Sequence, residues 1–135
     1  MDPEERPELG MTRFNLLIGR KDYKRAYSLA DQLSESHADD PMYQNDLAWQ
    51  IVTMKGIEQR DLKLAEKIAR RGNESTQGNN AEIVDTLARV LYLQDRKEAA
   101  IELQQKAVNL AKGRRKSQFQ QTLDSYKAGT APQSY

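Results

Sequence analysis

The side chains that most often carry chemistry are scarce here. The chain has no cysteine, so it offers no disulfide, no thiolate nucleophile and no soft metal ligand. Its one histidine, His37, is too few for a histidine-built metal site or a hydrolase triad. His37 follows a helix end in a polar turn and is expected to be exposed. Asp39 and Asp40 stand side by side in that turn, but two carboxylates fall short of a calcium loop. The stretch Gly19 to Arg25, GRKDYKR, lacks the second glycine and the lysine–serine pair of a phosphate loop. No catalytic residue, cofactor ligand or metal ligand is assigned, and an enzyme is not expected.

Charge points the same way. Lys plus Arg number 21 and Asp plus Glu 20, for a formal net charge of +1, so no global field draws nucleic acid or an anionic membrane. The densest basic run, Lys112, Arg114, Arg115 and Lys116, has no interleaved aromatics. It reads as cations favourably placed at a helix end and on a solvated connector, rather than as a phosphate contact. Arg70 and Arg71 read likewise. Glu4, Glu5 and Glu8 form an acidic turn before a helix. No apolar run approaches a membrane span, and the acidic start MDPEERPELG is unlike a signal peptide. Neither nucleic acid nor membrane insertion is expected.

What remains is helix. Ala, Leu, Gln, Glu, Lys and Arg abound, while β-branched residues are sparse. Apolar residues recur at spacings of three and four. The pattern predicts a first helix from Pro7 to about Ile18, stopped by Gly19, and a second capped by Asp22 that ends near Ser36. A third begins at Pro41. Asp61 caps a fourth, which Gly72 and Asn73 end. A fifth carries Ile83 to Leu93, and after a turn at Asp95 a sixth runs to a stop at Gly113. A last helix spans Arg114 to Lys127, with Phe119, Leu123 and Tyr126 on one face. Lys55 to Arg60 and Glu74 to Asn80 are polar connectors.

These helices repeat. Thirty-four residues separate Phe14 from Ala48 and Ala65 from Ala99; 40 separate Leu47 from Leu87, the excess falling in the Lys55–Arg60 loop. A 34-residue helix–turn–helix period is that of tetratricopeptide repeats. The chain resembles that family through Val84-x-x-Leu87-Ala88-x-x-Leu91 followed by Ala100-x-x-x-Gln104. Ala48, Ala88, Ala65 and Ala100 take the small positions where helices cross closely, and Leu47 and Leu87 fill the space beside them. Val84 stands where the family has an aromatic, and Gln104 where it has phenylalanine. Pro41 lies near, but not at, the usual repeat-ending proline. The resemblance implies an all-α, right-handed α–α superhelix of three helix pairs with a C-terminal capping helix. Residues 1–6 would be a flexible N-terminus, 7–128 the repeat domain (units 7–40, 41–80 and 81–113, cap 114–128) and 129–135 a flexible tail.

The repeat register also implies a groove. It offers Met42, Asn45, Trp49, Val52 and Thr53 from the third helix and Glu82, Asp85, Arg89 and Tyr92 from the fifth, with Asn15 and Ile18 from the first. Such a surface suits an extended or helical peptide. Trp49, the sole tryptophan, is either an aromatic platform there or a packing residue against the inserted loop or the next unit. Asn45 and Arg89 match parts of the carboxylate clamp of some family members, but Glu82 and Asp85 would repel a carboxylate.

A narrower resemblance rests on DLAWQIV (Asp46 to Val52), RDLKLAEKIARRGNE (Arg60 to Glu74), AEIVDTLARVLYLQDRKEAAIELQQKAV (Ala81 to Val108) and TLDSYKAG (Thr122 to Gly129). These are similar to a helical-repeat extension that follows the redox domain in bacterial thioredoxin-like proteins. It implies an accessory module and carries over no redox residue; the compartment stays open, cytoplasmic or, with such a redox parent, periplasmic. The expected function is a non-enzymatic module that docks a protein or peptide. Its alternative is an accessory domain of such a redox protein. A weak first unit also leaves room for self-association.

Overall fold

The computed structural model describes residues 9–132, which form seven α-helices and, among the described residues, no strand. In order these are α1 (Gly10–Gly19), α2 (Tyr23–Ser36), α3 (Pro41–Thr53), α4 (Leu62–Ser75), α5 (Ala81–Leu93), α6 (Lys97–Leu110) and α7 (Gly113–Ala128). Pro7, the acidic turn and the flexible segment expected at 1–6 fall outside the described residues.

Short polar side chains start four of these helices. Asp22 accepts from Arg25 N–H at 3.3 Å, Asp40 from Tyr43 at 3.1 Å, Asp61 from Leu64 at 2.9 Å and Asn80 from Ile83 at 3.2 Å. Each satisfies an amide that the first turn leaves orphaned. Pro41 opens α3, where its missing N–H costs nothing. The stops are less simple. Helix α1 runs through Gly19, and the chain turns at Lys21 with φ 59°. Helix α4 passes through Gly72 and Asn73 to Ser75, and the turn falls at Gln77 and Gly78. Gly72 has a different task. A Cβ there would stand 3.1 Å from the Pro41 carbonyl oxygen and 3.2 Å from Gln44 Cβ, so its bare backbone lets α4 approach the start of α3. Gly113 begins α7, because α6 has already ended at Leu110.

Helices pair in sequence, α1 with α2, α3 with α4 and α5 with α6, while α3 also meets α5, α2 meets α4 and α7 lies on α6. Leu47, Ile51 and Ile68 are fully buried and Leu87 nearly so, each worth about 1.5–3 kcal/mol of hydrophobic burial. Ala48, Ala88, Ala65 and Ala100 are also fully buried. Ala99 is only half-buried, so the structural counterpart of Ala65 is Ala100 and the 34-residue match to Ala99 is one residue short. Phe119, Leu123 and Tyr126 of α7 are fully buried and complete the core.

Two buried glutamines tie helices together. Gln44 Nε2 donates to the carbonyls of Ser34 at 2.9 Å and His37 at 2.7 Å, closing the end of α2 on α3. Ser34 Oγ donates to Gln44 Oε1 and accepts from Arg71 of α4. His37 is therefore not an exposed turn residue: half-buried, its ring stacks on Tyr43 at 3.7 Å and Nδ1 lies 2.8 Å from the Leu33 carbonyl.

The inserted loop is stapled down. Tyr27 donates to the Gln59 carbonyl at 2.5 Å, and Tyr23 accepts from Glu58 N–H at 3.0 Å. Burial pushes the Tyr27 hydroxyl above its ordinary pKa. Arg60 donates to the carbonyls of Ile51 at 2.7 Å and Met54 at 2.8 Å, satisfying the open end of α3. Arg60→Ala is expected to cost about 1–2 kcal/mol in chemical denaturation, since two charge-assisted bonds are lost; a change under a few tenths would mean that water replaces them.

Candidate functional site

A cleft of about 420 Å³ opens between α3 and α5, with α7 at its edge. Its walls are Met42, Asn45, Asp46 and Trp49 from α3, Glu82, Asp85 and Thr86 from α5, and Arg115 from α7. These are one set of positions used twice. With the two helices offset by 40 residues, Met42 pairs with Glu82, Asn45 with Asp85 and Asp46 with Thr86. Trp49 pairs with Arg89, whose guanidinium lies 4.8 Å from the Trp49 ring centroid. That cation–π contact holds the indole against α5.

Behind the cleft lies a buried polar relay. Gln104, fully buried on α6, donates from Nε2 to Asp85 Oδ1 at 2.9 Å and to the Phe119 carbonyl at 3.1 Å. One amide thus positions an acidic wall residue and joins α5, α6 and α7. At the rim, Arg115 Nε pairs with Glu82 at 2.7 Å while its guanidinium lies over Phe119 at 5.8 Å. Asp46 has its carboxyl held above the ordinary range, first by desolvation and then by the charge of Asp40. Asn45 is only 8% exposed, and its side-chain oxygen is buried without a hydrogen-bond partner. Buried acceptors are normally satisfied, so this oxygen marks a place where a donor is missing.

Of the groove residues expected from sequence, Asn45, Trp49, Glu82 and Asp85 come together here, with Met42 beside them. Arg89 is buried behind Trp49. Val52 does not line the cleft: at 5% exposure it belongs to the main core, as does Ile18. Thr53 lies at the end of α3, its hydroxyl donating to the Trp49 carbonyl at 2.7 Å. Tyr92 stacks on Tyr126 at 4.3 Å and donates to the Thr130 carbonyl at 3.0 Å. It therefore anchors the turn after α7, at Gly129 (φ 75°), and Thr130 is tied down where a loose tail was expected. Asn15 is exposed on α1, away from the cleft. Sequence reasoning missed Asp46, Thr86 and Arg115. The offset of 40 could have found the first two; Arg115 depends on the angle at which α7 docks.

Two other depressions are larger. One of about 1120 Å³ lies over α2 and α4, and its carboxylates Asp31 and Glu66 are engaged. Asp31 meets Lys67 at 3.0 Å, and Glu66 meets Arg70 at 2.7 Å and Arg96 at 3.2 Å. Glu66 is held below its ordinary pKa, burial opposing and these arginines and Gln94 overcoming it. The other, of about 870 Å³, is a basic and apolar trough along α1 and α2, where Leu16 is 55% exposed. Among the described residues no group of His, Asp or Glu is placed to hold a metal ion, and no helix is long and apolar enough to cross a membrane. No protein-family model, curated protein or solved structure matches this chain.

Proposed function

We propose that this chain is a non-enzymatic docking module that holds a peptide or an extended protein segment in the cleft between α3 and α5. The architecture we read is a right-handed, tetratricopeptide-like stack of α1–α2, α3–α4 and α5–α6, with α7 capping the last pair. Two neighbour relations support it: first helix beside first helix (α3 with α5), and second beside second (α2 with α4). Stacked hairpins meet in this order, and the first helices then line one face.

The observation that carries the function is the composition of the cleft. Equivalent positions of two units, Asn45 with Asp85 and Met42 with Glu82, face one space that keeps a buried amide oxygen unpartnered. A few polar groups that converge on a concave site are what orients a bound ligand. Panning a random heptapeptide library on the immobilised chain is expected to enrich peptides that bind it. Asp46→Trp, which plugs the cleft from an exposed position, should lose their capture with helix content unchanged. Equal capture by the plugged variant would put the docking surface elsewhere.

A further inference from the structure

We infer that the group this cleft accepts is cationic: the ammonium or guanidinium of a lysine or arginine side chain in the docked peptide. The inference rests on the docking reading and narrows it. Three carboxylates, Asp46, Glu82 and Asp85, line the cleft; the guanidiniums beside them are Arg115 at its edge and Arg89, buried behind Trp49, so the carboxylates keep the majority. The buried Asn45 oxygen can only accept, so a satisfying ligand must bring a donor. An anionic side chain brings none and meets the carboxylates. An apolar side chain leaves the oxygen dry and unpaired, the costliest state for a polar group. A cation supplies both donor and charge, and its methylene stem can lie along Trp49.

The chain already displays the fit. Arg115 Nε reaches Glu82 at 2.7 Å, yet its side chain remains 46% exposed. It sits at the rim and leaves Asn45 unsatisfied. An incoming lysine or arginine would lie between this pair and the exposed Asp46 and reach toward Asn45.

Four capped heptapeptides test the inference: an Ala–Ser frame with Lys, Arg, Glu or Leu at the centre. Backbone amide shifts and the fluorescence of Trp49, the sole tryptophan, read binding. The Lys and Arg peptides are expected to move the Asn45, Asp46 and Glu82 amides saturably, and binding should weaken with salt. Asp46→Asn should weaken them about fivefold, as loss of a rim charge does. Asn45→Ala should also weaken them while the melting temperature holds or rises, because the deleted oxygen had no partner to lose. Saturation of the same amides by the Glu or Leu peptide as tightly as by the Lys and Arg peptides overturns the cation and leaves docking standing. Four peptides that leave the cleft amides unmoved overturn both.

Discussion

Phe119→Ala will lower the stability of the whole chain by about 3–5 kcal/mol, the range for emptying a buried aromatic site. The residue sits in the middle of α7, fully buried, packed with Val84 of α5 and with Ala107 and Val108 of α6. Helix α7 is held by one buried stripe, since its other faces are charged and polar and its first turn has no side-chain cap. Its buried set is Phe119, Thr122, Leu123 and Tyr126. Removing the largest of the first turns should loosen α7 from α6, and it should withdraw Arg115 from the rim of the cleft. Urea unfolding followed by circular dichroism checks the magnitude. A loss under about 1 kcal/mol would mean that the site collapses without consequence and that α7 is an appendage, not part of the core.

Gln104→Leu is expected to cost about 2–3 kcal/mol despite conserving volume and adding apolar surface. The change strips a donor from Asp85, a carboxylate 1% exposed, and from the Phe119 carbonyl. Hydrogen bonds to charged groups are worth more than neutral ones, and the acceptors left behind stay desolvated. Adding Asp85→Leu to the same chain should recover part of the loss, since replacing both partners by apolar groups is far cheaper than orphaning one. A single variant as stable as the parent would show that the relay is ornamental and that Asp85 is oriented by its other neighbours.

These two residues also mark how far the sequence could be read. The starts of α2, α3 and α4 were legible because Asp22 and Asp61 cap, and Pro41 opens, a helix by local geometry; that Asp40 caps α3 came only with the structure. The Leu47–Ala48 and Leu87–Ala88 pairs were legible because close helix crossings restrict side-chain size. Five of the eight cleft residues, Met42, Asn45, Trp49, Glu82 and Asp85, followed from the same register. Gln104 was read as a degraded position because the pattern expects an aromatic there; nothing local says that a carboxylate and a carbonyl would converge on it. Gly72 looked like a helix stop, since a glycine that ends a helix and one that lets a neighbour approach are identical in a string of letters. Register alone places Val52 and Tyr92 at the groove, but Val52 packs into the main core and Tyr92 is taken up by Tyr126 and Thr130 at the end of α7. Arg115 was invisible for a different reason: its contact with Glu82 is set by how α7 docks, a tertiary fact.

The proposed docking function requires that α3 and α5 together form a peptide site. Chemical-shift mapping of a panned heptapeptide on the isotope-labelled chain tests it most directly. The perturbed amides are expected to cluster at Met42, Asn45, Asp46 and Trp49 on α3 and at Glu82, Asp85 and Thr86 on α5, reaching Arg115. Perturbations centred instead on Tyr23, Tyr27 and Leu64, over the α2–α4 face, would contradict it.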